Sequence, residues 1–180
     1  LLRRPASEAP PGHTLAVLPF VNLSADPQKA YFADGIAIEL IATVASFEGL
    51  RVVGRTSSFS FRDSNADLET IGETLGADMI LEGSVRTEGD RARITARLVD
   101  ARDGVQRWSE TYDRELKGIL AIQTEIATAI AAALRVDLSP QQRRRLATPP
   151  TENLAAYQAY LLGRRRLEQS TTPSQEEAIG

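Results

Sequence analysis

The sequence predicts an α/β fold with the strand and helix order βαβαβββα. Near the start of the chain, short apolar runs alternate with segments whose apolar residues recur at helical spacing. Two later stretches alternate apolar and polar residues on either side of Gly89, as the strands of a hairpin do. A further strand and a long amphipathic helix follow. Because helices connect the first three strands, we expect these strands to pair in parallel.

The first strand is the apolar run at residues 15–18, which Pro19 ends. Asp26 and Pro27 then suit the N-cap and the first position of a helix. The apolar residues of this helix form one broad stripe, which predicts that it packs on a sheet. They are Phe32, Ile36, Leu40, Ile41, Val44 and Ala45. Gly49 ends the segment.

The second strand, at residues 50–53, leads through the polar stretch 55–64 into a second helix. Ser64 or Asn65 is the expected N-cap, and Gly76 ends the helix. Its apolar residues at helical spacing are Leu68, Ile71 and Leu75.

The hairpin that follows has Gly89 and Asp90 as its two-residue turn. In this register apolar residues face each other on one side of the hairpin and opposite charges on the other. The facing pairs are Val85–Ile94, Leu81–Leu98, Glu88–Arg91 and Glu82–Arg97. Moving the turn back by one residue would place Arg86 opposite Arg91, so the first register is favoured.

The last strand follows a turn at Asp103 and Gly104, and it carries Trp108 and Tyr112 on one face. A helix over residues 118–136 comes next, with apolar residues at helical spacing. These are Ile119, Ile122, Ile126, Ile130 and Leu134. The predicted organisation is a linker at 1–13, an α/β domain at 14–137, a proline-containing linker at 138–150 and a further helical segment at 151–180.

Composition excludes several kinds of chemistry. The chain has no cysteine, so disulfides, thiol nucleophiles and thiolate metal sites are absent. Its one histidine, His13, lies in a proline- and glycine-rich stretch, which argues against a Ser–His–Asp triad or a multi-histidine metal site. The formal net charge of −3 does not favour nucleic-acid binding. We therefore expect no catalytic residue, no metal and no cofactor in this chain.

Seven short motifs in chain order together resemble the amino-terminal domains of bacterial TolB-like proteins. They lie at residues 16–20, 22–24, 31–35, 55–59, 81–85, 98–101 and 108–114. The resemblance covers about residues 15–134. The segment 154–180 resembles the start of tetratricopeptide repeats, on the residues Tyr157, Tyr160, Leu161 and Gly163.

The TolB-like resemblance implies a mixed, mostly parallel five-stranded sheet with helices on both faces. It also implies a longer parent, with an adenylate or guanylate cyclase or a winged-helix DNA-binding domain before this region and repeats that bind protein partners after it. A membrane span often precedes such a domain, and residues 1–5 would suit the end of one. The periplasmic side of a membrane-anchored parent is therefore the expected location, with the cytoplasm as the alternative.

A ligand site is expected where the first two parallel strands end, because ligands of open α/β sheets bind beyond the carboxyl ends of the strands. The polar residues delivered there are Asn22, Ser24, Arg55, Thr56 and Ser57. Hydroxyls, backbone N–H groups and a guanidinium could hold an anion or a phosphorylated metabolite. In the alternative interpretation, these residues cap turns and the arginine pairs with a carboxylate such as that of Asp34.

Trp108 and Tyr112 are either core residues or interface anchors, and strand alternation favours the core. No spacing brings two carboxylates together for acid–base catalysis. The arginines at 91, 93 and 97 line one strand face with Glu82 and Glu88 opposite, so a solvated face is favoured over a basic patch. The sequence therefore predicts a non-catalytic sensory or protein-interaction module of a larger bacterial signalling protein. The alternative is a sensor for a small anionic ligand.

Overall fold

A computed structural model describes residues 12–148, together with 155–156, 158–160, 162–163 and 166. Its strands are β1 Thr14–Val17, β2 Val21–Asn22, β3 Arg51–Val52, β4 Met79–Glu88, β5 Arg91–Asp100 and β6 Gln106–Glu115. Its helices are α1 Ala30–Ala45, α2 Arg55–Phe59, α3 Leu68–Leu75, α4 Ile119–Ala133 and α5 Pro140–Ala147. Short 3-10 turns at Pro27–Lys29 and Leu116–Gly118 precede α1 and α4. The predicted repeat segment, 151–180, lies outside the described residues except for isolated helical positions, so its repeats stay a prediction.

The strands form one mixed sheet in the order β3-β1-β4-β5-β6, with β2 paired to β4 beyond the end of β1. β1 is parallel to β3 and β4, whereas β4, β5 and β6 are successively antiparallel. The predicted α/β class and the five predicted strands are confirmed. β2 is an additional strand, because the chain rejoins β4 after Pro19, which has no N–H to donate. On either side of this break, the N–H groups of Leu18 and Leu23 donate to Leu81 and Val85 at 2.9 and 2.8 Å.

The register of the β4–β5 hairpin is the predicted one. Val85 lies opposite Ile94, and Glu82 lies opposite Arg97. The turn requires a left-handed backbone at Gly89, whose φ is 58°.

Helices cover both faces of the sheet, as the TolB-like resemblance implies. On one face, α1 and α4 pack over a core that takes the inward residues of β1, β4, β5 and β6. On the other face, α3 packs over a smaller cluster formed by Ala16, Leu18, Ile71, Ala77, Ile80 and Ala101. The packing of α3 is close, because a Cβ added to Gly72 would lie 2.5 Å from the Cβ of Ala101.

The helix starts differ from the predicted ones in two places. Residues 55–59 of the predicted polar stretch form the short helix α2. The N-cap of α3 is Asp67 rather than Ser64 or Asn65, and its carboxylate accepts the N–H of Thr70 at 2.8 Å. Hydrogen bonds from the N–H and the hydroxyl of Thr70 lower the pKa of the Asp67 carboxyl. Asp26 is an N-cap as expected, but it caps the 3-10 turn that precedes α1.

The predicted linker at 138–150 contains a docked helix. Ser139 begins α5 with a capping box that it forms with Gln142. The Gln142 amide also donates to the carbonyl of Ser46 at 2.8 Å, and the Thr124 hydroxyl donates to the carbonyl of Leu146 at 3.0 Å. The prediction of a linker is therefore wrong for 140–147, because Pro140 is the first residue of the helix rather than a breaker.

The start of the domain is held by Asp78. Its carboxylate accepts the N–H of Thr14 and contacts Nδ1 of His13, both at 2.6 Å. His13 thus joins the ordered domain, and residues 1–11 of the predicted linker lie outside the described part. Within the described residues, no helix is long and apolar enough to cross a bilayer.

Candidate functional site

A groove of about 830 Å³ lies at the carboxyl end of β1, on the side of the sheet that α3 covers. Its walls are residues 18–23, Asp34 of α1 and the loop 61–66 before α3, and its floor is formed by β4 and β5. The chain leaves β1 toward β3 through α1 on one face and returns from β3 to β4 through α3 on the other. The groove therefore lies where the connections change face, which is where ligands bind in open α/β sheets.

An ion pair ties two walls of the groove together. Nη2 of Arg62 donates to Oδ1 of Asp34 at 2.8 Å, and the Asp34 residue is only 8% exposed. The Arg62 guanidinium also lies 5.4 Å from the centre of the Phe59 ring, within cation–π range. The pair fixes the guanidinium at the mouth of the groove and joins α1 to the loop that precedes α3.

A second ion pair lies on the floor. Nη2 of Arg97 donates to Oε1 of Glu82, which is the pairing that the hairpin register predicts. A guanidinium has five N–H donors, so Arg62 and Arg97 each keep donors beyond the one in the ion pair. Ser84 and Thr95 add hydroxyls between the charged groups. The groove thus offers charge-assisted donors that its own carboxylates hold in position.

The groove also has an apolar part. Val21 and Leu23 are 58% and 48% exposed at its rim, and the side chains of Leu18, Leu68 and Ile71 line it. Exposed residues of this kind beside a concave surface are typical of interaction sites.

Phe20 and Gly83 determine the shape of the floor. A Cβ added to Gly83 would lie 2.5 Å from the carbonyl oxygen of Thr95 and 2.7 Å from the Phe20 ring. Phe20 is 2% exposed, so its ring fills the space that a side chain at residue 83 would need. Both residues belong to motifs of the TolB-like resemblance, and here their role is packing.

The predicted ligand residues fall into two groups. Asn22 lines the groove, and its Oδ1 accepts the N–H of Ser24 at 3.0 Å. The Ser24 hydroxyl in turn accepts the N–H of Thr87 at 2.8 Å, so these two side chains hold the turn after β2 against β4. Arg55, Thr56 and Ser57 lie in the first turn of α2 and are not among the groove residues. The ligand role of all five stays a prediction.

Arg62 is the groove residue that the sequence analysis missed. It is 28 residues from Asp34 along the chain, so no local spacing could reveal the pair.

The aromatic residues of β6 face the core. Tyr112 is 5% exposed, and Trp108 is partly buried against the main core cluster. Burial raises the pKa of the Tyr112 hydroxyl to about 12. Both side chains pack against the core, and their role as interface anchors stays a prediction.

Asp100 is the most buried carboxylate among the described residues that carry ion pairs. It is 2% exposed and accepts from Nη2 of Arg102 at 2.7 Å and of Arg107 at 3.0 Å. Hydrogen bonds from Arg102, partly opposed by burial, hold the pKa of this carboxyl far below its usual range. The cluster ties the β5–β6 turn to the sheet and does not line the groove.

Three or more metal-ligating side chains do not meet anywhere in the part of the chain that the structure describes. Of the carboxylates that line the groove, those of Asp34 and Glu82 are each bonded to a guanidinium, and Asp63 lies on the loop before α3. The groove offers charge-assisted hydrogen bonds and apolar contact.

Comparison with known proteins identifies the family of this domain. Residues 11–129 match the model of the second domain of HilA/YgeH-like transcriptional regulators, and the chain belongs to this family. It is also 37% identical over 174 residues to "Putative adenylate cyclase 3" of Rhizobium meliloti (strain 1021). That match covers 97% of this chain and 30% of the relative, so the chain spans less than a third of that protein's length.

Two solved structures share the fold. Lipoprotein GNA1162 from Neisseria meningitidis aligns with a TM-score of 0.50 and 20% identity, over 71% of this chain and 99% of that one. TolB from Acinetobacter baumannii aligns with a TM-score of 0.52 and 15% identity, over 69% of this chain and 28% of that one. The TolB-like resemblance is confirmed at the level of the fold.

Proposed function

We propose that this domain is a non-catalytic interaction module of a larger bacterial signalling protein, and that the groove is its recognition site. The observation that carries the proposal is the groove itself, which combines exposed apolar residues at its rim with two guanidinium groups held by carboxylates. Membership of a family of regulator domains and the likeness to a much longer cyclase-named protein support a role within a larger chain.

In this proposal the domain transmits occupancy of the groove to an output domain elsewhere in the parent, either a nucleotide cyclase or a DNA-binding domain. Helical repeats after residue 150 would add a surface for protein partners. The periplasmic side of a membrane-anchored parent is the location that we propose, with the cytoplasm as the alternative.

The experiment replaces the exposed rim of the groove in the full-length parent. Val21→Asp with Leu23→Asp places two charges where an apolar partner surface would bind, and Val105→Asp is the matched control. Val105 is also an exposed apolar residue, 47% exposed, but it lies in the β5–β6 turn. We expect the rim variant to change the cyclase or DNA-binding output while the control does not, with equal unfolding temperatures for both. An unchanged output would contradict the proposal.

The second candidate function is a sensor for a small anionic ligand. The observation that favours it is the groove volume of about 830 Å³, which lies within the range of small-molecule sites. Nucleotides, phosphosugars, sulfate and acidic peptides would be added during thermal unfolding of the chain. A ligand at about 100 times its Kd should stabilise it by roughly 2.7 kcal/mol, a shift of several degrees.

Two arginine variants locate such a ligand. Loss of the shift in Arg62→Ala but not in Arg55→Ala assigns the ligand to the groove. Loss in Arg55→Ala alone assigns it to the residues at the start of α2 that the sequence predicts. The absence of any shift would reject the sensor and leave the interaction module.

A further inference from the structure

The outer edge of β6 pairs with no other strand among the described residues, and β6 is the longer of the two strands at the ends of the sheet. β6 is the last strand of the sheet and runs for 10 residues, whereas β3 at the other end has only 2. A long open edge presents unpaired N–H and C=O groups, which form a template for another strand. Natural sheets shorten or cover such an edge or place charged residues along it, so the charges of β6 decide which partner strand fits.

The backbone groups that face outward can be assigned. The N–H of Leu116 donates to the carbonyl of Asp90 at 2.7 Å, so even-numbered residues at this end of β6 bond to β5. Because the bonds of an antiparallel pair alternate along a strand, the odd-numbered residues have their N–H and C=O groups on the open side. These are Ser109, Thr111, Asp113 and Glu115. Arg107 lies at the register shift opposite Leu98 and Val99 and is outside this regular stretch.

The charges along β6 select one way in which two copies can pair. In an antiparallel pair of two copies, the outward N–H and C=O groups of one β6 must meet those of the other, so odd-numbered residues lie opposite odd-numbered residues. The two-fold axis then passes through a residue and not between two residues. An axis at Glu110 or at Asp113 would bring identical carboxylates face to face, which is unfavourable. An axis at Tyr112 instead places Glu110 opposite Arg114 of the partner subunit. Because of the two-fold symmetry, the dimer contains two such pairs.

The same register matches the other side chains. Trp108 lies opposite Leu116 of the partner subunit, and both side chains are partly buried in their own subunits. An axis at Thr111 also avoids like charges, but it pairs no opposite charges in the regular stretch, so the axis at Tyr112 is favoured. Arg114 already bonds to Glu125 at 3.2 Å, and its remaining N–H groups suffice for a second carboxylate.

We propose that this chain forms a homodimer by antiparallel pairing of its β6 strands about a two-fold axis at Tyr112. The two sheets become one continuous sheet, joined by about eight backbone hydrogen bonds and two Glu110–Arg114 ion pairs. The α4 helices of both copies lie on the same face, beside the junction. The groove lies on other strands, so this inference goes beyond the proposed function and does not depend on it.

Charge reversal tests the pairing and its register. Sedimentation equilibrium of the full chain over a wide range of protein concentrations should show a monomer–dimer equilibrium. Glu110→Arg or Arg114→Glu alone should raise the dimer dissociation constant at least about tenfold, because each puts like charges opposite each other twice. The double variant should restore the wild-type constant. Glu73→Arg, an exposed reversal on α3, is the matched control and should leave dimerisation unchanged.

A second variant tests the backbone edge. Thr111→Pro removes an outward N–H but no N–H that bonds to β5, so a circular dichroism spectrum like that of the wild type should accompany a loss of dimer. A wild-type chain that stays monomeric at every concentration overturns the proposal, and it does so without affecting the groove. Single reversals that dimerise like the wild type, or a double variant that fails to restore the dimer, overturn it as well.

Discussion

Gly83 shows how one missing side chain determines the floor of the groove. The Phe20 ring occupies the position that a Cβ would take, and the Thr95 carbonyl closes the other side. A glycine in the middle of a strand usually destabilises it, because glycine has no side chain to pack. The glycine here is required by close approach, since its backbone does not have a positive φ.

Gly83→Ala should therefore destabilise the domain by about 1–3 kcal/mol, because the added methyl group must displace a backbone carbonyl as well as the ring. Gly54→Ala is the control, since a Cβ at residue 54 meets nothing within 4 Å. Urea unfolding of both variants measures the difference. Equal stabilities would show that the strand can shift to make room.

Ionisation of Asp100 makes the free energy of unfolding depend on pH in the acidic range. The folded state lowers the pKa of this carboxyl, so its contribution is fully present above the unfolded pKa of about 3.9 and is lost as the pH falls toward the folded pKa. Asp100→Asn should cost about 1–3 kcal/mol at neutral pH, because two guanidinium groups lose their ionised partner.

The pH dependence separates this charge from a general loss of packing. The difference in unfolding free energy between wild type and Asp100→Asn should shrink as the pH is lowered from about 5 to about 2. Asp103→Asn, on the same turn but half-exposed, should show a much smaller change at neutral pH. A difference that does not vary with pH would mean that Asp100 acts through its shape alone.

At the scale of elements, α5 is the clearest difference between sequence and structure. Three prolines and a run of arginines suggest a linker, because a proline usually marks a break and exposed charge a solvated segment. In the structure, Pro140 occupies the first helical position after a Ser139 cap, and the arginines lie outward. Among the described residues 138–148, the apolar side chains that pack on the core are Leu138 and Leu146, and two apolar residues are too few to give a periodic signal.

The contribution of the N-cap of α5 to the stability of this helix can be measured directly. Ser139→Ala removes the hydroxyl that accepts the N–H of Gln142, at a cost of about 1 kcal/mol. Because α5 docks at the edge of the domain, we expect faster hydrogen exchange in 140–147 with little change in the sheet. Ser60→Ala, whose hydroxyl donates to the carbonyl of Ser57, is a control outside any N-cap. Equal exchange rates in α5 would show that docking alone holds the helix.

Across the whole molecule, the features that can be predicted from the sequence are those that the local periodicity of apolar residues determines. The hairpin register follows from alternation and charge, and the apolar stripes place α1 and α4 correctly on the sheet. The groove is different, because its walls meet through contacts between residues far apart in the chain. The pair of Asp34 with Arg62 and the contact of Phe20 with Gly83 leave no periodic trace. The short β2 strand was missed for the same reason.

The ion pair at the groove also has a mechanical consequence. Asp34 lies near the start of α1, and Ser46, which caps the end of α1, accepts a hydrogen bond from Gln142 of α5. A straight helix rises 1.5 Å per residue, so these attachment points are about 18 Å apart on one stiff rod. A small tilt of α1 when the groove opens or closes would therefore swing α5, and with it whatever the chain carries next.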